Sequence, residues 1–156
     1  MKKKWKSLIV CIAIPLAVGA GAAFFTKENM AVFDTVQKPP LSPPGWLFPV
    51  VWTILYILMG IASWLIYKEA YRRPYAADAL IPYGIQLFFN FFWPIIFFNF
   101  GRYQLAFIWL LILLFFIVRC IQSFDEWNST ASALLVPYMI WVIFAGYLNL
   151  GIAVLN

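Results

Sequence analysis

The chain has 156 residues, of which 65% are hydrophobic and only 11% charged, and its formal net charge is +5. Soluble domains carry about a quarter charged residues, so this composition excludes an ordinary soluble fold and points to a membrane protein. Histidine is absent, which removes the commonest general base and metal ligand and leaves no metal site to expect.

Five windows are long and apolar enough to cross a bilayer: roughly residues 7–25, 46–67, 80–99, 104–123 and 131–155. Lipid cannot satisfy a free backbone amide, so such segments close their own hydrogen bonds as helices; barrel strands would alternate with a period of two. The expected fold is therefore an all-α membrane protein, one compact bundle of five transmembrane helices over residues 1–156.

The first window opens "MKKKWKSLIVCIAIPLAVGAGAA", which also has the basic start, apolar middle and small-residue end of a cleavable secretory signal. Its apolar run continues through Phe24 and Phe25, which favours a retained span, with cleavage as the alternative. Ala13, Ala17 and Gly21 form a small-residue stripe suited to packing within the chain or to a dimer contact. Residues 26–45 make the longest connection and end in two proline pairs, Pro39-Pro40 and Pro43-Pro44. Prolines fix φ and favour an extended path, so this loop is a stiff lid or a plain connector.

On the second helix Trp52, Tyr56, Met59 and Ser63 recur at helical spacing, and on the third Gln86, Asn90 and Trp93 do the same. Pro94 should bend the third helix, because it removes a backbone donor and crowds the carbonyl four residues earlier. The fifth helix repeats the pattern with Tyr138, Trp141, Ala145 and Asn149. Trp5, Trp46, Trp109 and Trp127 lie near helix ends as belt anchors. Cys11 and Cys120 fall inside spans without CxxC spacing and read as packing residues.

Lys2, Lys3, Lys4, Lys6, Lys68, Arg72 and Arg73 share one side of a five-span layout, with Arg119 able to snorkel toward it, against Lys27, Lys38 and Arg102 on the other. The positive-inside rule then puts the N-terminus in the cytoplasm and the C-terminus outside, and it accounts for the net charge without nucleic acid. All six acids, Glu28, Asp34, Glu69, Asp78, Asp125 and Glu126, fall in loops or at helix ends. An acid–base enzyme or proton-coupled transporter is therefore disfavoured.

At a rise of about 1.5 Å per residue, Trp52, Asn90, Trp93 and Asn149 lie in the outer half of the bilayer, with Trp141 nearer the midplane. Three faces of aromatic and amide groups converge there, as the walls of a cavity under the proline-rich loop or as interhelical hydrogen-bond glue.

The segments "KPPLSPPGWLFPVVWTILYILMGIAS", "QLFFNFFWPIIFF" and "VPYMIWVIFAGYLNL", in this order, resemble the TspO/MBR family of tryptophan-rich sensory and translocator (peripheral benzodiazepine receptor) proteins. The resemblance implies a five-helix bundle, often a homodimer, in the membrane of a bacterial cell. It implies binding of porphyrins such as protoporphyrin IX, of isoquinoline or benzodiazepine-type ligands and, in animal members, of cholesterol; some bacterial relatives also degrade porphyrin in light. No cofactor is required. Carried over by motif, Trp52 and Trp141 are the pocket tryptophans and the candidates for an electron relay, while Asn90, Trp93 and Ala145 line the same cavity.

The expected ligand is thus a tetrapyrrole stacked on Trp52, Trp93 and Trp141 and oriented by Asn90 and Asn149, beside Tyr56, Gln86 and Tyr138. Its propionates would meet Lys27, Lys38 or Arg102. The chain departs from the family pattern at Leu41, where many relatives have an aromatic, and after Tyr147, where "LNLGIAVLN" has no basic residue. No dedicated sterol site is expected at that end.

Overall fold

The computed structural model describes residues 2–156, and 84% of the chain is helical. Among the described residues, five helical segments are long and apolar enough to span a membrane: α1 (Lys2–Thr26), α2 (Leu47–Arg72), the segment Pro74–Asn99 built around α3 (Leu80–Pro94), α4 (Tyr103–Asp125) and α5 (Ser129–Leu155). Helical geometry outruns the apolar windows at several ends. α1 begins at Lys2 and α2 continues five residues past 67, since Lys, Glu and Ala are good helix formers that need no lipid. α2 stops before Pro74, where Arg73 turns extended, and a 3₁₀ helix, Pro74–Ala79, leads into α3. Asn128 caps α5 by accepting from the Ala131 N–H at 2.9 Å.

The Trp93-Pro94 pair changes the winding of the third span. Beyond Pro94 the Ile95 N–H donates to the Phe92 carbonyl, three residues back, and Ile95–Asn99 form a π-helical turn. A proline cannot donate, so the ladder changes register where the donor is lost. Gly101, with φ of 58°, then closes the turn into α4.

α4 packs most extensively on α5, and α1 packs chiefly on α2. α1 is the least buried span. Its contact with α2 is close because glycine faces it from both sides. A Cβ on Gly60 would lie 2.4 Å from Ile12 Cα, and one on Gly19 would lie 2.2 Å from the Tyr56 ring. The stripe singled out in the sequence is a different face: Ala13 and Ala17 are exposed, and only Gly21 meets a neighbour, Phe91.

Residues 26–45 are more structured than an extended connector. Val32–Thr35 form a helical turn that buries Phe33 against Phe48, with ring centroids 5.1 Å apart. The loop is tied down along its length. Asn29 donates to Asn99 Oδ1 at 3.0 Å and Asn99 to the Phe25 carbonyl at 2.9 Å. Further on, the Gln37 backbone and the Asn156 amide exchange two bonds of 3.0 and 2.8 Å, and Tyr147 donates to the Pro40 carbonyl at 2.7 Å. Pro39 is buried on α5 against Gly151, where a Cβ would come within 2.4 Å of the proline ring. Leu41 projects outward at the tip, 85% exposed with φ of 67°.

Candidate ligand-binding site

Beneath this loop lies a cavity of about 740 Å³, within the usual range for a small-molecule site. Gly19, Ala22 and Ala23 of α1 form its small-residue wall, and Phe33, Asp34 and Gly45 contribute from the loop. Trp52 and Tyr56 of α2, Asn90 and Trp93 of α3, Phe97 of the π-helical turn, and Ala145 and Asn149 of α5 are among its other wall residues. α4 supplies no wall residue; it braces α3 and α5 from behind.

The walls are held by bonds between helices. The Trp52 ring stacks on Tyr56 at 5.5 Å and 28°. Tyr56 donates to Asn90 Oδ1 at 2.7 Å, Asn90 Nδ2 donates to the Tyr138 hydroxyl at 2.7 Å, and Tyr138 donates to Gln86 Oε1 at 2.7 Å. Gln86 Nε2 ends the chain on the Met59 sulfur at 3.8 Å, a weak acceptor. Every hydroxyl proton in this run is committed, so its direction is fixed. On the facing wall Trp93 Nε1 donates to Asn149 Oδ1 at 3.0 Å, and Asn149 Nδ2 to the Tyr103 carbonyl at 2.8 Å. The two amides therefore lock the tilt of two aromatic wall residues, a role in which buried hydrogen bonds add order as well as energy.

Six residues expected at the site, Trp52, Tyr56, Asn90, Trp93, Ala145 and Asn149, line the cavity; Gln86, Tyr138 and Trp141 do not. Gln86 and Tyr138 lie on the same helical faces but a turn or more deeper, under the floor, where each is 1% exposed. Trp141 is screened by Phe48, whose ring meets it edge-on at 5.7 Å. Its indole nitrogen is buried with no hydrogen-bond partner. Trp109 and Trp127 also differ from simple belt anchors: Trp109 donates to the Phe89 carbonyl at 2.8 Å, and Trp127 packs against the core.

Lys27, Lys38 and Arg102 do not line the cavity either. The Lys27 ammonium sits 4.5 Å over the Phe24 ring, and that of Lys38 sits 4.8 Å over Phe33 while donating to its carbonyl. Aromatic faces a few residues away along the chain hold these cations. The wall residues that sequence reasoning missed come from the loop and from α1. The short apolar run "MAVF" was the available signal for Phe33; nothing in the periodicity of α1 marked Gly19 and Ala22 as facing a cavity.

A five-span helical bundle with an aromatic-walled chamber roofed by a pinned loop defines an integral membrane protein. The chain belongs to the TspO/MBR family, whose model matches residues 11–155. It is 38% identical to Tryptophan-rich protein TspO of Chlorobaculum tepidum, over 100% of this chain and 99% of that protein. It is 33% identical to Tryptophan-rich sensory protein of Cereibacter sphaeroides, over 100% and 95% of the two chains. With Translocator protein of Bos taurus it shares 31% identity over 96% of this chain and 89% of the other.

Proposed function

We propose that the protein binds a flat, largely apolar macrocycle of the porphyrin or tetrapyrrole class in this cavity and acts as a sensor or regulator. The carrying observation is a 740 Å³ chamber walled by Trp52, Trp93 and Phe97 with few polar groups. Indole and phenyl faces 4.5–7 Å apart stack well on a flat π-system, and the apolar wall rewards its removal from water. The same shape suits isoquinoline or benzodiazepine-type ligands. The lysine distribution supports a cytoplasmic N-terminus, which puts the cavity and its loop on the opposite side of a bacterial cell membrane. A homodimer, as the family resemblance implies, would use an outer face such as that of Ala13 and Ala17, which are exposed.

Titration with protoporphyrin IX, followed by quenching of tryptophan fluorescence, tests the reading. Saturable binding that weakens at least tenfold in Trp52→Ala and in the cavity-filling Ala23→Trp supports it. Unchanged affinity in both variants removes the cavity as the site.

A second reading, light-driven degradation of the bound porphyrin, draws on the stacked Trp52–Tyr56 pair, two oxidisable rings on the wall. Bleaching under illumination beyond that of detergent blanks would favour it. Carriage of the ligand across the membrane draws no support from the floor, which Tyr56, Asn90, Tyr138 and Gln86 close.

A further inference from the structure

The charge at the cavity mouth is of the opposite sign to the one a porphyrin carboxylate needs. Asp34 is the one charged side chain on the cavity wall. It sits on the helical turn of the roof loop, exposed, with its Oδ1 4.0 Å from where a Cβ on Gly45 would stand, and Gly45 also lines the mouth. Lys38, four residues further on, is engaged by the ring and carbonyl of Phe33. Lys27 is held over Phe24, and Arg102 lies off the wall.

Inside the mouth, most side-chain donors are already used, the indole N–H groups of Trp46 and Trp52 excepted. Tyr56 gives its proton to Asn90, Trp93 gives its N–H to Asn149, and Thr53 and Thr26 turn their hydroxyls back to the carbonyls of Pro49 and Ala22. Such a wall offers a ligand carboxylate few partners. The carboxylate at the opening repels it and attracts a cation or an N–H donor.

We propose that Asp34 is a specificity-determining residue of the cavity: it selects flat macrocyclic or polycyclic ligands whose polar end is cationic or a hydrogen-bond donor, and it disfavours those ending in carboxylates. This rests on the reading of the cavity as a macrocycle site and adds the charge class of its ligand. The ligand's flat body lies against Trp52 and Trp93, and its polar edge points outward past Phe33 to Asp34. Because the mouth is open to water, the preference is modest and falls with salt.

The test uses the full-length protein in detergent and three porphyrins sharing one ring: protoporphyrin IX, its neutral dimethyl ester, and a diamide whose two side chains end in amines. Each is titrated against the unaltered protein, Asp34→Asn and Trp52→Ala, at low and at high salt. The expected order for the unaltered protein is amine, then ester, then acid. Asp34→Asn should tighten the acid and weaken the amine, each by roughly three- to tenfold, and leave the ester unchanged. High salt should shrink the spread in the unaltered protein and change little in Asp34→Asn. An order that persists in Asp34→Asn, or tighter binding of the acid than of the amine to the unaltered protein, overturns the role of Asp34. In that case, ester binding that still depends on Trp52 leaves the cavity reading standing. If no ring binds saturably, or none responds to Trp52→Ala, the cavity reading itself fails and this inference with it.

Discussion

Asn90 belongs to two structures at once, since it lines the cavity and joins α2 to α5 through Tyr56 and Tyr138. Replacing it with Ala removes two hydrogen bonds, strands the Tyr56 hydroxyl and leaves a void, whereas Tyr138→Phe also removes two but keeps the packing of the ring. Asn90→Ala should cost roughly 1–3 kcal/mol of stability, nearer the lower end because polar contacts inside membranes are worth less than their burial suggests. Tyr138→Phe should cost less, and the double variant should lose less than the two losses added together. Unfolding of the three variants in mixed detergent micelles measures this, and strictly additive losses would mean that the bonds do not act as a network. The network was half legible in the sequence. A spacing of i, i+4 and i+7 placed Gln86, Asn90 and Trp93 on one face. It could not say that Gln86 sits below the cavity floor and Trp93 on its wall, because depth relative to a neighbour is fixed by where the helices cross.

Among the helices, α1 and α2 owe their close crossing to Gly60 and Gly19, where added methyl groups would collide with Ile12 and Tyr56. Gly60→Ala should push the helices apart and cost about 1–3 kcal/mol. It should also weaken ligand binding, since Tyr56 and the α1 wall move together. Gly84 is the internal comparison: it is exposed on α3, and a Cβ there would meet nothing within 4 Å. Gly84→Ala should therefore be neutral or stabilising by up to about 1 kcal/mol through helix propensity alone. Thermal aggregation midpoints of the two variants provide the check, and equal losses would remove close packing as the reason for Gly60. The sequence offered Ala13, Ala17 and Gly21 as the packing stripe of α1, yet the contact runs through Ile12 and Gly19. Several faces of α1 carry small residues, and only the partner helix decides which of them is used.

For the molecule as a whole, the roof loop is held at one end through Asn99 and at the other through Asn156 and Tyr147. The loop covers an aromatic chamber, so ligand exchange requires it to shift or the helices to part. Asn156→Ala combined with Tyr147→Phe removes the three hydrogen bonds that hold this end of the loop. Dissociation of a bound porphyrin, followed by stopped-flow fluorescence, should speed up about three- to tenfold, with association accelerated as well and affinity changed less than either rate. Unaltered rates would show that the ligand leaves by another path. The length and proline content of the loop were evident from the sequence, but its anchoring was not. The bonded partners lie 70 to 119 residues away along the chain, and single amides at such separations carry no local signal.

The sequence by itself determined the number of spans, their helical form and the polar faces they carry. Hydrophobic length and the need to satisfy every backbone amide in lipid are local constraints, readable without a partner. The tertiary structure alone decided which of those polar groups reach the cavity and which are spent on one another, that Phe48 stands in front of Trp141, and that the mouth presents Asp34 rather than a lysine. Those outcomes depend on the crossing of helices and the fold-back of the loop, which no local pattern in the sequence records.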